Sequence, residues 1–330
     1  MLLLSDEVLL MILRHLNSSA VFTLSRTCKR LRNLCHDKEF SRHIDAPPDD
    51  YETLDLIFNS LLDRHTTSLR LASKCHGENS AFRSSIAPSH LAQICPSLRP
   101  NPSDINLTNL YLIRQRLDKS IFNLSSLPPS LRVLHLSGTI ISNVTEQSGY
   151  FKNISEALPN LEDFDLTDCT WVPSHSLLGI SKLPALKRLS LRGCREIGNC
   201  LAYSSLAFRF GFPSLKVLDV TNTQFGTGEF HSISLLKNLE ELYVGEYDLQ
   251  QNSNAIQDFS LHELIGLAHL QKIDLSGQDI TDTGLNVLVR VPSLRRIDAH
   301  FTAITSGAIE RFKQLRNGCI INKNMSYFEY

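Results

Sequence analysis

Leu186-Lys187-Arg188-Leu189-Ser190-Leu191-Arg192-Gly193-Cys194 is the stretch from which the rest of the chain can be read. Its apolar positions follow L-x-x-L-x-L, and the same template stands at Leu131/Leu134/Leu136, Leu161/Phe164/Leu166 and Leu215/Leu218/Val220. It returns at Leu239/Leu242/Val244, Leu270/Ile273/Leu275 and Leu294/Ile297/Ala299. Successive first positions lie 30, 25, 29, 24, 31 and 24 residues apart. The alternation inside each copy is that of a short strand, with its leucines on one side and the intervening residues on the other. One copy alone cannot bury its apolar edge, whereas stacked copies close a continuous core between them.

Other positions keep step with the template. Two residues before the first leucine stand Pro96, Pro129, Pro159, Pro184, Pro213 and Pro292, with Lys237 and Ala268 in two further copies. A proline there stops the preceding helix and cannot donate into the following ladder. Eight residues after the first leucine come Thr139, Cys169, Cys194, Thr223, Tyr247, Gln278 and Thr302. Two further on lies an apolar residue such as Ile141, Trp171, Phe225, Leu249, Ile280 or Ile304, which reads as core.

This period and template resemble the leucine-rich repeats. The phrases Ile280-Thr281-Asp282-Thr283-Gly284-Leu285 and Ile304-Thr305-Ser306-Gly307-Ala308-Ile309, with Cys169 and Cys194, are similar to the cysteine-containing subfamily. That resemblance implies that the residue eight after the first leucine hydrogen-bonds the loop backbone. Leu69-x-Leu71 and Ile105-x-Leu107 read as two early strands, and Cys319-Ile320-Ile321-Asn322 as a terminal one. The expected fold is α/β: a curved solenoid of eight to ten units over 66–322, with concave parallel strands and uneven convex helices. A tail, 323–330, follows, and its Tyr327, Phe328 and Tyr330 are candidates to shield the open end.

The first forty-five residues lack the repeat. Ser5 is placed as an N-cap with Asp6 and Glu7 in the first turn, and Val8, Ile12 and Leu16 mark a helical stripe. After Asn17-Ser18-Ser19, a second stripe holds Leu24, Cys28, Leu31 and Leu34/Cys35, and Phe40 and Ile44 add two apolar anchors. A helical module this small needs burial from a neighbour, either the solenoid it caps or a partner. Leu4-Ser5-Asp6-Glu7-Val8-Leu9 with Cys28-Lys29-Arg30-Leu31 resembles an F-box, with Ser5, Leu31 and Phe40-Ser41 where the family pattern has proline, tryptophan and a Leu-Trp pair. The resemblance implies docking on the Skp adaptor, and with it the cullin, of an SCF (Skp–cullin–F-box) ubiquitin ligase, while the repeats select a protein substrate. The implied adaptor-binding positions are Leu4, Val8, Leu9, Ile12, Leu16, Leu24, Cys28 and Leu31. The expected organisation is an F-box at 1–45, a connecting helix at 46–65, the repeats at 66–322 and the tail. Leu54, Ile57/Phe58 and Leu61/Leu62 recur at helical spacing behind Pro47-Pro48 and Asp49-Asp50, which suits a rigid connector rather than a flexible linker.

Composition narrows the function. Leucine fills 54 of 330 positions, and the net charge of −1 leaves no basic surplus for nucleic acid or an anionic membrane surface. No stretch of 18 apolar residues occurs, and Met1-Leu2-Leu3-Leu4 lacks the basic flank of a signal peptide, so a cytoplasmic or nuclear setting is expected. Six Asn-x-Ser/Thr sequons are then by-products of composition. Eight cysteines fit free thiols, without the spacing of a zinc site. No phosphate-binding loop, nucleophile elbow or metalloprotease helix is present, Cys35-His36 falls in a helix stripe, and Lys29-Arg30-Leu31-Arg32 reads as a solvated helix face. The chain is therefore expected to be a non-catalytic adaptor subunit without cofactor or metal, a monomer within a hetero-complex. A plain repeat scaffold or inhibitor with a helical cap is the competing reading, and an exposed apolar patch at Leu4, Val8, Ile12 and Leu16 would separate the two.

Strand alternation also points to a substrate face. Residues flanking the inward leucines project from it: Arg188, Ser190, Arg192, Asp219, Glu241, Tyr243, Asp274, Arg296, Asp298 and His300, beside Asp163, Asp165 and Lys272. The face is mixed in sign, with Arg188 and Arg192 as a basic island suited to phosphate or carboxylate; solvated strand charges are the simpler reading.

Overall fold

The computed structural model describes residues 4–16, 18–35, 37–46, 54–55, 57–58, 62, 65–73, 86–95, 106–145, 149–247 and 255–323. Pro47, Pro48, Asp49, Asp50, Leu61, Pro96, Ile105, Leu249 and the aromatic tail lie outside the described residues. The chain divides into two compact units, Met1–Asn143 with Glu156–Asn160, and Val144–Ser155 with Leu161–Tyr330.

In the first unit, helix α1 (Asp6–Leu13) starts where Ser5, in extended conformation, accepts the Val8 N–H, and Asp6 and Glu7 face the positive end of the helix dipole. Helices α2 (Ser18–Ser25), α3 (Lys29–Cys35) and α4 (Lys38–Ser41) follow, the last capped by Asp37, which accepts from Glu39 N at 3.0 Å. Leu13, Val21 and Cys35 form their core, with Leu16, Leu24, Leu34 and Phe40 packed around it. Burying a side chain of this size contributes roughly 1.5–3 kcal/mol. Two ion pairs brace the outside, Arg30 to Asp6 at 2.6 Å and Arg14 to Glu39 at 2.9 Å.

Chain leaving α4 becomes a strand at once. Strand β1 (His43–Ala46) pairs in parallel with β2 (Ser68–Ala72), placing Ile44 beside Leu69. Next come β3 (Asn109–Ile113), β4 (Arg116–Asp118), β5 (Val133–His135) and β6 (Ile140–Ser142). The sequence β2, β3, β5 continues the parallel pairing. The carbonyl just ahead of each strand receives two N–H groups from the next: Arg42 from Thr67 and Ser68, Thr67 from Thr108 and Asn109, Thr108 from Arg132 and Val133. Arg42 takes part in this pattern, so the parallel ladder begins directly after α4. The expected strand at Ile105-x-Leu107 is corrected to Asn109–Ile113. Leu107 stands two residues before it, as the buried first position of the template, with Leu110 and Leu112 as the other two. On the opposite edge of this unit, β4 and β6 form a second parallel sheet where a helix was expected. Alternation fits there: Leu117 and Ile141 are buried while their strand neighbours are not.

The second unit holds β7 (Asp163–Asp165), β8 (Arg188–Ser190), β9 (Val217–Asp219), β10 (Glu241–Tyr243), β11 (Lys272–Asp274), β12 (Arg296–Asp298) and β13 (Ile320–Asn322), each parallel to the next. Their template residues are buried from β7 to β12, Leu189, Leu218, Leu242, Ile273 and Ile297 being fully inaccessible, while Ile321 of the terminal β13 is half-buried. Return segments are helical but uneven, from Leu201–Phe210 and Ser306–Leu315 to the 3₁₀ turns His231–Leu235 and Asp258–Gly266. Repeat length does not set this, since the 31-residue copy from Leu239 returns through 3₁₀ turns while the 24-residue copy from Leu270 holds the α-helix Asp282–Leu288.

The subfamily's loop bond is present in both units. Thr139 donates to Leu112 O and accepts from Gln115 N; Cys194 donates to Leu166 O, and Thr302 to Ala299 O. Gln278 bridges with both ends of its amide, to Val244 O and Ile256 N. Trp171, expected in the core, is half-buried at its margin, stacked on the buried Phe151 at 5.9 Å and edge-on to Tyr150 at 5.6 Å.

Candidate functional site

Two surfaces carry the residues singled out in the sequence. On α1, Leu9 and Leu13 point inward, which turns Val8, Met11 and Ile12 outward on one face. Leu4, Met11 and Ile12 are 38%, 51% and 36% exposed, and Val8 is half-buried. The remaining expected docking residues belong to the interior. Leu9 and Leu31 are buried, Leu16 and Leu24 pack on the helical core, and half-buried Cys28 accepts the Leu31 N–H through its sulfur. Met11 was missed by the sequence reading. Its signal was its place three residues after Val8 on the same helical face.

On the sheet of the second unit, the strand residues project in three rows. Beginning at β7, the first holds Asp163, Arg188, Val217, Glu241, Lys272 and Arg296, and the second Asp165, Ser190, Asp219, Tyr243, Asp274 and Asp298. Thr167, Arg192, Thr221, Gly245, Ser276 and His300 follow in the third. Three second-row aspartates hold the backbone beyond their own strand. Asp165 accepts from Thr167 N, Asp219 from Thr221 N and Asp274 from Ser276 N, at 2.8, 2.9 and 3.0 Å. Asp274 also accepts from the Tyr247 hydroxyl at 2.9 Å.

At the β10–β12 end the charges are mutually engaged. Arg296 holds both oxygens of Asp298 through its Nε at 3.1 and 3.0 Å, and Asn322 donates to the same carboxylate. The Lys272 ammonium stands 3.9 Å from Asp298, donates to the Tyr243 hydroxyl at 3.1 Å and lies 4.6 Å from that ring's centre. Tyr243 in turn donates to Glu241. Burial, then the Glu241 carboxylate, push the Tyr243 phenol well above its ordinary value, while hydrogen bonding to Asp298 raises Arg296. Burial likewise raises the Asp219 carboxyl, against the opposing Thr221 bonds and Arg192. The β8 end is looser. Arg188 is 3.9 Å from Asp163, and Arg192 lies 5.9 Å from the Tyr247 ring centre. Ser190 shares a hydrogen bond with Thr167, while His300 N donates to Ser276 Oγ.

Nothing in either surface assembles a nucleophile, base and oxyanion donor, and no His/Cys/Asp/Glu group among the described residues is set to hold a metal. The seven described cysteines are free thiols, and burial raises Cys35, Cys194 and Cys319. No helix among the described residues is long and apolar enough to cross a membrane.

Comparison with known proteins agrees with this layout. The F-box domain matches residues 1–43, and a leucine-rich repeat matches residues 266–289. The chain carries an F-box domain followed by leucine-rich repeats. Two solved structures from Listeria monocytogenes are similar to it. Internalin C2 has 18% identity over 72% of this chain and 84% of its own, with a TM-score of 0.35. The internalin InlF has 12% identity over 94% and 90%, with a TM-score of 0.47.

Proposed function

We propose that the chain is the substrate-recognition subunit of an SCF ubiquitin ligase, working in the cytoplasm or nucleus. The Skp adaptor docks on 1–45 and links the chain to the cullin, 46–65 bridges, and the repeats of 66–322 hold a protein target. The chain supplies no catalytic group in this reading. Its contribution is proximity, bringing lysines of the target to the charged conjugating enzyme. In this reading the chain resembles F-box/LRR-repeat protein 12, a resemblance carried by Arg42-His43-Ile44-Asp45, Cys95-Pro96-Ser97-Leu98, Leu127-Pro128-Pro129-Ser130-Leu131 and Gly318-Cys319.

The observation that carries the reading is the outward apolar face of α1. A helix serving only as a cap would turn its large side chains inward, yet Met11 and Ile12 face solvent beside Leu4. Placing Asp at both Met11 and Ile12 leaves Leu9 and Leu13 in place, so the helices should stay folded. Capture of the Skp adaptor by the purified full chain should drop with this variant by about tenfold or more, since about 1.4 kcal/mol of lost burial already has that effect. Equal capture by both forms, with unchanged circular dichroism, would refute the docking face.

A further inference from the structure

The near-zero net charge hides a sharp local separation. Residues 161–180 carry Glu162, Asp163, Asp165 and Asp168 without one lysine or arginine. The next repeat, 181–212, carries Lys182, Lys187, Arg188, Arg192, Arg195 and Arg209 against Glu196 alone. Cross-strand pairs absorb part of this difference, Lys187 bonding to Glu162 at 2.8 Å.

At the edge where chain enters β8 and β9, however, two like charges meet. Lys216 N donates to Lys187 O, so these lysines occupy matching positions on adjacent strands, whose backbones stand ~4.8 Å apart. Like charges facing each other across neighbouring strands repel. Their ammonium groups are drawn apart, Lys187 toward Glu162 and Lys216 toward Glu240 at 2.7 Å, giving the order minus, plus, plus, minus along the edge. Both lysines remain about half exposed, at 50% and 49%, and exposed pairs of this kind are worth only ~0.2–1 kcal/mol, so an incoming anion can share them at little cost. Between and beside them lies an open cavity of about 400 Å3, also lined by Pro213, Ser214, Asn238, His269 and the Glu240 that pairs with Lys216. Ser214 and Asn238 are fixed there by bonds to Pro184 O and Pro213 O at 2.9 Å, which gives the cavity a rigid floor.

We propose that this cleft binds an anionic side chain, a phosphomonoester or a carboxylate, of the protein that the repeats engage. The proposal rests on the target-binding reading given above and adds the chemistry of the group received. An anion seated between Lys187 and Lys216 relieves their mutual repulsion, competes with Glu162 on the next strand and with Glu240 in the cavity wall for the two ammonium groups, and can receive a third donor from His269. A phosphate is favoured over a carboxylate because its additional oxygens reach both ammonium groups at once.

The test uses the full chain with 13C-labelled lysine side chains, followed by NMR during titration with a short phosphoserine peptide, a glutamate peptide and inorganic phosphate. Lys187 and Lys216 signals should move together and saturate with the phosphoserine peptide, while Lys313, 51% exposed and paired with Glu310, should not follow. Replacing both lysines (Lys187→Gln with Lys216→Gln) should weaken binding by about tenfold or more. Removing their partners (Glu162→Gln with Glu240→Gln) should tighten it. Parallel drift of all lysines, or saturation by inorganic phosphate with no response to either peptide, would overturn the proposal. The Skp adaptor is captured through α1, so its capture by the double-lysine variant checks the ligase reading independently. Adaptor retained without peptide binding sinks only the cleft, and adaptor absent from the wild type sinks the ligase reading.

Discussion

Gly277 offers the most stringent check on the stacking of the second unit. Its φ is +71°, its N–H bonds His300 O at 2.8 Å, and Glu246 N bonds the neighbouring Ser276 O at 2.7 Å. A Cβ built on Gly277 falls inside the Glu246 carbonyl, so Gly277→Ala carries two penalties. Left-handed backbone costs an L-residue about 1–2 kcal/mol, and relieving the overlap by shifting packed strands costs about 1–3 kcal/mol more. Against this stands a gain of about 0.4–1 kcal/mol from the less flexible unfolded chain. The net loss is about 2–4 kcal/mol. Gly318→Ala separates the two contributions, because Gly318 also has positive φ, +95°, yet nothing lies within 4 Å of its added Cβ. That variant should lose only about 1 kcal/mol. In calorimetry of the full chain, a domain of this size shifts by about 2–4 °C per kcal/mol, so Gly277→Ala should melt lower by about 4–16 °C and Gly318→Ala by about 2–4 °C. Equal shifts for the two would mean that the Glu246 and Gly277 backbones do not meet as described.

The Arg316 guanidinium donates to four carbonyls, Val289, Val291, Pro292 and Leu294, at 2.8–3.2 Å. Arg316→Ala should cost about 2–4 kcal/mol in chemical denaturation, and Arg316→Lys should not restore it, since one ammonium cannot span that fork; full rescue by lysine would contradict the arrangement. Bonds from Ser120, then from Ser142 and Asn143, pull the Asp118 carboxyl down to about 2 from its ordinary 3.8. Its stabilising effect is therefore present above pH 3.8 and lost as pH falls toward about 2, and carboxyl NMR titration should show the late protonation. Asp219 acts in the opposite sense, its folded pKa being raised by burial. The cost of ionising it grows as pH rises from 3.8 through the folded value, and Asp219→Asn should remove that decline from the pH–stability curve; an unchanged curve would count against the raised pKa.

Leucine spacing made β5 and β7 to β12 legible because each strand in the template buries two large apolar residues. The earliest rungs were harder to read. Ser41 and Thr66 occupy the template's first position and are buried, at 2% and 0% exposure, but neither is apolar. A reading keyed to leucine therefore missed β1, and it set the start of β3 four residues early, at Ile105 instead of Asn109. The projecting face of the strands was legible as a set of positions, since alternation places Arg188, Asp219, Tyr243 and Arg296 on it. The work done by its aspartates was not. Asp118-x-Ser120, Asp165-x-Thr167, Asp219-x-Thr221 and Asp274-x-Ser276 form one recurring phrase in which the carboxylate caps a backbone N–H two residues on. That phrase was visible in the sequence as Asp-x-Ser/Thr, and it shows that part of the face's acidity maintains the loops.

Because α2 and α4 pack against β1, the helical module whose α1 exposes Met11 and Ile12 also covers the outermost rung of the first unit's sheet. A repeat array left open at its end displays an unpaired strand edge, which recruits other chains. Disruptive changes at Leu9, Leu13 or Cys35 should therefore lead to aggregates and rapid turnover of the chain itself. In a cell such variants would mimic a loss of the function proposed above while reporting only on folding. Substitutions confined to the outer side of α1 keep the cap closed, so docking genetics in this protein is interpretable on that one face of the helix.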